Sequence, residues 1–144
     1  MARRIYLASS WRNELQPEYV QLLRKWGHQV YDFRNPPNGP GGFHWSELDE
    51  NWSLWSPSQY RDHLLNDARA AQGFTQDLRG MAWSDTCVLL MPCGKSAHLE
   101  LGLCAGQGKH TVVHIPNYEF EPELMYLLAD DITSDQDKLR ETLQ

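Results

Sequence analysis

The chain lacks the sequence features of membrane and secreted proteins, and it has no internal repeat. A membrane-spanning helix needs about 18 or more consecutive apolar residues, and no run approaches that length. A secretory leader combines basic residues, a short apolar core and small residues at its end, and this pattern is also missing. The sequence therefore predicts a soluble, cytoplasmic protein with no membrane partner.

Cysteine is scarce, with three residues in 144. An odd and small number argues against a disulfide framework. Cys93, His98 and Cys104 do not follow the spacing of zinc ligands, so no metal site is predicted. We expect the thiols to be buried or incidental, and no bound cofactor is implied.

An excess of basic residues is missing too, since 13 Lys and Arg stand against 19 Asp and Glu for a net charge of −6. The basic residues are scattered along the chain rather than clustered in a stripe. A duplex nucleic-acid partner is therefore not expected, whereas small anions can still bind at local sites. The length predicts one domain, residues 1–144, with a sizeable core.

Predicted strands and helices alternate along the chain. Strands are predicted at 3–8, 28–33, 85–91, 111–115 and near 131–133. Helices are predicted at 15–26, at 57–83 with a break at Gly73, at 96–107, at 121–129 and after Ser134. This alternation is typical of a parallel sheet covered on both faces. The economical topology is a flavodoxin-like, three-layer α/β sandwich with about five strands.

Residues 34–56 form an insertion that is rich in Pro and Gly and then in Trp. Its aromatic content is too high for a disordered linker. Two interpretations remain open: an ordered loop held by its own rings, or a lid whose rings cover a ligand. Aromatic anchors serve both purposes, and Trp45 is the candidate for contact with a substrate.

Glu100 is the most informative residue, because it lies in the apolar helix start Ser96-Ala97-His98-Leu99-Glu100-Leu101-Gly102. That helix follows a buried-strand pattern, which places its start at the carboxyl edge of the sheet, where open α/β folds bind ligands. A buried carboxylate is costly unless it is solvated or paired. Glu100 either points to solvent or to a backbone amide, or it projects into the edge as a nucleophile or base.

The same edge carries groups that suit a phosphate. Ser9, Ser10 and Arg12 follow the first strand, while Gly94 and Ser96 flank the start of the Glu100 helix. Free backbone N–H groups at a helix start, together with hydroxyls and a guanidinium, bind anions well. Alternatively, Ser96 is only an N-cap, and Ser9 and Ser10 are turn residues.

Three motifs, spread over residues 4–115, occur in a familiar order. They are Ile5-Tyr6-Leu7-Ala8-Ser9-Ser10, then Gln76-Asp77-Leu78 followed by Asp85, then Leu99-Glu100-Leu101-Gly102 followed by Gly108-Lys109. The set resembles the nucleoside 2-deoxyribosyltransferases and the related 2'-deoxynucleoside 5'-phosphate N-hydrolases. The resemblance implies a flavodoxin-like fold in which Glu100 attacks C1' of the sugar. Asp77 would protonate or hold the leaving base, and Tyr6 would hydrogen-bond the nucleophile and crowd the 2' position.

One departure bears on the substrate. Gly94 stands where the transferases carry an acidic residue, whereas Ser10 and Arg12 match the N-hydrolases, so the resemblance favours a nucleoside 5'-monophosphate. It also implies a homodimer or a larger homo-oligomer. Two alternatives stay open: a non-catalytic nucleotide sensor that uses the same edge, and a glycohydrolase acting on a dinucleotide such as NAD, as in TIR-like domains.

Overall fold

The computed structural model describes residues 2–144 and contains one five-stranded sheet. The strands are β1 (Arg4–Ala8), β2 (Gln29–Tyr31), β3 (Thr86–Leu90), β4 (His110–His114) and β5 (Asp131–Thr133). All neighbouring strands run parallel, in the order β2-β1-β3-β4-β5. This is the flavodoxin-like strand order, so the predicted fold class is confirmed.

The helices are α1 (Gln16–Lys25), α2 (Pro57–Asn66), α3 (Ala68–Trp83), α4 (Lys95–Gly106) and α5 (Gln136–Thr142). Short 3-10 helices occupy Trp45–Glu47, Trp52–Leu54 and Leu124–Leu128. Across residues 2–144, none of the helices is both long and apolar enough to cross a bilayer.

Three helix predictions need correction. The break between α2 and α3 falls at Asp67 rather than at Gly73, because the extended Asp67 backbone ends α2 and its carboxylate accepts a hydrogen bond from Arg69 N (2.8 Å) at the start of α3. The segment predicted as a helix at 121–129 forms only the 3-10 helix Leu124–Leu128. The last helix is capped by Asp135, which accepts from Lys138 N at 2.8 Å, rather than by Ser134.

The chain forms two compact units: the segment ending at Asp32 together with Gly80–Gln144, and the segment Phe33–Arg79. In the first unit, α1 and α5 cover one face of the sheet. The core on that face consists of Ile5, Leu7, Tyr19, Val20, Leu23, Val30, Val88, Leu90, Val112, Leu139 and Leu143.

The other face of the sheet is covered by α4. Side chains alternate along a strand, so Tyr6 of β1 points away from the core of Ile5 and Leu7 and towards α4. The residues that α4 buries are Ala97, Leu101 and Cys104. The small and apolar residues of this helix predict close packing nearly all round, but α4 is covered on one side only, since Leu99 is 75% and Leu103 40% exposed. The buried positions form one narrow stripe with the i, i+4, i+7 spacing of a helix that is covered on one side.

The second unit is built around aromatic contacts. The Trp45 ring meets Phe43, Trp55 and Tyr60 edge-on, with centroid distances of 5.0, 6.0 and 5.6 Å. Trp55 stacks on His63 at 4.3 Å. These rings hold one another, as the ordered-loop interpretation predicts. Contact of Trp45 with a substrate stays a prediction.

Candidate functional site

The candidate site is centred on a hydrogen bond between β1 and α4. The Tyr6 hydroxyl donates to Glu100 Oε2 at 2.6 Å, a length typical of an O–H group bound to a carboxylate. Tyr6 is 1% exposed, whereas Glu100 is half-buried. The carboxylate is therefore held by a rigid strand residue while it keeps contact with solvent.

The Tyr6 ring is itself held by Tyr31 of β2. The two residues are register partners in the sheet, and their rings stack with centroids 5.1 Å apart and planes 9° apart. Gly80 lies against the far side of this support, since a Cβ added there would come within 2.8 Å of the Tyr31 ring. Neither Tyr31 nor Gly80 was among the sequence candidates. Tyr31 could have been found from the sequence, because Tyr6 and Tyr31 are both the third residue of adjacent strands and so project from the same face of the sheet.

Two thiols near Glu100, those of Cys87 and Cys93, are poor candidates for the role of nucleophile. Burial raises the pKa of Cys93 to about 12, and the negative charge of Glu100 adds to the effect. The pKa of Cys87 is also raised, by its hydrogen bond with the Cys104 thiol and then by burial. A thiol must lose its proton to attack, so Cys87 and Cys93 are poor nucleophiles at neutral pH.

The His98 ring has a protein group close to each of its two nitrogens. The two ring nitrogens of His98 lie 2.7 Å from Gly94 O and 2.8 Å from the Tyr126 hydroxyl. Within residues 2–144, no group of three or more His, Cys, Asp or Glu side chains is arranged to hold a metal ion.

The loop after β1 carries the predicted serines in two different states. Ser9 Oγ donates to Leu90 O at 2.9 Å, so its proton is used inside the fold. Ser10 Oγ accepts a hydrogen bond from Arg12 N at 3.2 Å, an interaction that does not consume the Ser10 hydroxyl proton. The Arg12 side chain is exposed. Ser10 and Arg12 therefore retain donors that can meet an anion, and Ser9 mainly shapes the loop.

The start of α4 differs from the sequence expectation in one respect. Gly94 is the N-cap residue, and Ser96 is the second residue of the helix, so the alternative in which Ser96 caps the helix is wrong. Both residues are exposed. A Cβ added at Gly94 would meet nothing within 4 Å. The backbone around Gly94 is thus open to an approaching group, and the first N–H groups of the helix lack helical acceptors.

The remaining candidates, Asp77 and Trp45, belong to the unit Phe33–Arg79. Asp77 is half-buried on α3, and Trp45 begins a 3-10 helix. The pairing of Asp77 with Glu100 stays a prediction.

Comparison with known proteins gives a result only at the level of structure. No protein-family model and no curated protein sequence matches the chain. A 2-deoxyribosyltransferase from Bacillus psychrosaccharolyticus is 21% identical, with a TM-score of 0.63 over 97% of this chain and 90% of that one. The CMP N-glycosidase BcmB from Clostridium botulinum is 14% identical, with a TM-score of 0.53 over 98% and 97%.

A conserved protein from Enterococcus faecalis V583 is also similar, with 13% identity and a TM-score of 0.61 over 99% of this chain and 98% of that one. At these identities, the likeness establishes a shared fold. The resemblance that the sequence motifs indicate is therefore confirmed at that level: the chain has the fold of a 2-deoxyribosyltransferase and of a CMP N-glycosidase.

Proposed function

We propose that this protein cleaves or transfers the N-glycosidic bond of a nucleoside or nucleoside 5'-monophosphate through a glycosyl-enzyme on Glu100. The observation that carries the proposal is the 2.6 Å hydrogen bond from the Tyr6 hydroxyl to Glu100 Oε2. It orients a solvent-accessible carboxylate on the helix that follows β3. The shared fold with two enzymes that act on this class of bond supports the same reaction.

The geometry of the carboxylate supports the following reaction. Tyr6 binds one oxygen of Glu100, and the other oxygen attacks C1' while the bond from C1' to the base nitrogen breaks and its electron pair leaves with the base. In a retaining reaction the second acidic group lies about 5 Å away and supplies the proton for the leaving base. Asp77 is the residue proposed for this second role. Water then hydrolyses the intermediate, or a second base accepts the sugar.

The position of Tyr6 supports a preference for 2'-deoxy sugars. Its hydroxyl is in contact with the nucleophilic carboxylate, so a sugar whose C1' approaches Glu100 brings its neighbouring C2' towards the Tyr6 ring. That ring is fixed by stacking on Tyr31 and cannot easily move aside. A 2'-hydroxyl would crowd it.

The 5'-phosphate is assigned to the loop after β1 and the start of α4. Ser10 and Arg12 supply donors from the loop. Gly94 and Ser96 leave the first N–H groups of α4 open to an anion, an arrangement that favours phosphate. Ser9 contributes through the shape of the loop.

The assembly and location of the protein form a further part of the proposal. Leu99 and Leu103 on α4, with Leu124 and Leu127 in the last 3-10 helix, expose apolar side chains. Exposed apolar residues of this kind support association between copies. We expect a cytoplasmic homodimer or larger homo-oligomer.

Release of free base tests the reaction directly. Ribonucleosides, deoxynucleosides, their 5'-monophosphates and NAD are each incubated with the wild-type protein, with Glu100→Gln and with Glu141→Gln, and the products are separated by chromatography. The last variant is the matched control, since Glu141 is an exposed residue of α5. We expect release of base by the wild type and the control, and none by Glu100→Gln. After an acid quench, the mass of the wild-type protein should be increased by that of the attached sugar.

Equal release by Glu100→Gln would contradict the proposal. Release from NAD alone would favour the dinucleotide glycohydrolase, and binding of nucleotides without any release would favour a sensor. Asp77→Asn separates the second role: release of ordinary bases, which are neutral in the nucleoside, should fall. Release of 7-methylguanine should be nearly unchanged, because this base is already cationic in the nucleoside and leaves as a neutral molecule without a further proton.

A further inference from the structure

Asn13, which was not a sequence candidate, holds the loop between β1 and α1 together. It is 3% exposed. Its Nδ2 donates to Ser9 Oγ at 3.1 Å and to Leu90 O at 3.4 Å, and its Oδ1 accepts from Leu15 N at 2.9 Å. Its backbone N–H also donates to Ser10 O at 3.0 Å. One side chain therefore connects both ends of the loop.

The same contacts join the loop to β3. The pairing of β1 with β3 ends at Ala8 opposite Leu89. Beyond that point Leu90 O accepts hydrogen bonds from the side chains of Ser9 and Asn13. These side chains satisfy the carbonyl where the β1 backbone turns away. These contacts lie at the boundary between β1 and β3. From β1 the chain continues to β2 on one side of this boundary, and from β3 it continues to β4 on the other. Such a switch point is where open α/β sheets bind ligands.

We propose that Asn13 is a positioning residue that presets the Ser10–Arg12 segment for the anionic 5' group of the substrate. This inference rests on the proposed function and adds a residue to it. A loop that is ordered before binding does not lose further conformational freedom when the substrate arrives, so its donors bind more tightly than those of a mobile loop. Asn13 acts through Ser9, Ser10 and the Leu90 carbonyl and does not itself contact the substrate.

Asn13→Asp tests the inference with a side chain of the same size. The variant keeps the oxygen that accepts from Leu15 N but replaces the Nδ2 donor with an oxygen facing Leu90 O. Tyr19→Phe is the matched control: it removes a buried hydrogen bond that α1, the helix after the loop, makes to His114, and it leaves the loop contacts of Asn13 in place. Both variants should have lower melting temperatures than the wild type.

Kinetics then distinguish positioning from a purely structural role. For Asn13→Asp we expect KM for a 5'-monophosphate to rise about 10- to 100-fold, with kcat and the KM for the matching nucleoside nearly unchanged. Tyr19→Phe should leave all of these values unchanged. If the two variants lose stability alike and neither changes KM for the monophosphate, the inference is wrong.

Amide hydrogen exchange gives a readout that does not depend on activity. Exchange in residues 9–15 should become faster in Asn13→Asp and stay slow in Tyr19→Phe. Unchanged exchange in Asn13→Asp would overturn the inference even in an active enzyme. Faster exchange in a chain whose wild type neither releases base nor binds monophosphates would refute the proposed function and the anion role, while it would uphold Asn13 as the residue that orders the loop.

Discussion

Tyr6 and Tyr19 lie on opposite faces of the same sheet, and the hydroxyl of each forms a hydrogen bond with a titratable side chain. Tyr6 contacts Glu100 at 2.6 Å on the α4 face, and Tyr19 contacts His114 Nε2 at 2.9 Å on the α1 face. Both tyrosines are nearly fully buried. Their partners differ, since Glu100 is half-buried whereas His114 is completely enclosed and also bound to Thr133 at 2.7 Å.

The difference separates a structural hydrogen bond from one that can support chemistry. Burial lowers the pKa of His114 to about 4, so the imidazole is neutral at physiological pH, with one nitrogen as donor and one as acceptor. Thr133 and Tyr19 occupy both nitrogens, and no solvent reaches the ring. Glu100 receives a similar hydrogen bond but remains accessible. Access to solvent, rather than the presence of a buried tyrosine, therefore distinguishes the carboxylate that we propose as the nucleophile.

The largest expected effect concerns the buried His114 and the stability of the protein at acid pH. Below pH 6.5 the His114 imidazole of the unfolded chain binds a proton, whereas the folded one stays neutral until about pH 4. The unfolded state then holds more protons, so the free energy of unfolding falls as the pH drops through this range, by about 3 kcal/mol at most. Urea unfolding at several pH values measures it.

The control for this prediction is His114→Asn, which removes the titrating ring. Carboxylates also titrate in this range. The quantity to compare between the two proteins is therefore the slope of the free energy of unfolding against pH. The variant should be less stable at pH 7 but should lose less stability between pH 6.5 and 4. Equal slopes would mean that His114 is not the buried neutral group described above.

The second prediction removes the hydroxyl of each tyrosine in turn. Tyr6→Phe removes a hydrogen bond to a carboxylate, so it should lower kcat/KM for base release about 10- to 100-fold and the free energy of unfolding by about 1.5–3 kcal/mol. Tyr19→Phe leaves His114 Nε2 buried without its partner and should cost about 1–3 kcal/mol of folding free energy without changing kcat/KM. Steady-state kinetics and urea unfolding test both variants. A rate loss in Tyr19→Phe, or none in Tyr6→Phe, would break the comparison.

The third prediction concerns the support behind Tyr6. In Gly80→Ala the new Cβ would lie 2.8 Å from the Tyr31 ring, so Tyr31 must shift and its stack on Tyr6 must change. Overpacking of this kind costs about 1–3 kcal/mol. We expect lower stability and lower kcat/KM together. Gly106→Ala is the control because its Cβ would meet nothing within 4 Å, and it should leave kcat/KM unchanged.

The sheet could be predicted from the sequence because its signal is local. Runs of apolar residues such as those of β3, alternating with helical periodicity, indicate a parallel sheet without any tertiary information. The position of the break between α2 and α3 could not be found in this way. Gly73 is a weak signal, whereas the side chain of Asp67 ends one helix and begins the next through a contact that depends on the backbone geometry.

The candidate site was predictable only where a motif existed. Glu100 was indicated by the apolar helix start around it and Tyr6 by the resemblance, and the structure joins the two with a hydrogen bond. Tyr31 and Asn13 were missed because their roles arise between segments that are distant in sequence or between a side chain and a carbonyl. An asparagine in a turn is common for local reasons, and its sequence neighbourhood does not reveal that it reaches β3.

The smallest predicted effect concerns the start of α4, where we propose that the 5'-phosphate binds. Gly94→Ala should lower the free energy of unfolding by only about 0.5 kcal/mol, since alanine is a poorer N-cap than glycine and the new methyl group meets no neighbour. If the 5'-phosphate approaches the first N–H groups of α4, that methyl group lies in its path. KM for the monophosphate should then rise by a few fold, while KM for the nucleoside stays constant. Steady-state kinetics with both substrates measures this, and an equal change for the two would remove Gly94 from the anion site while leaving Glu100 and Tyr6 in place.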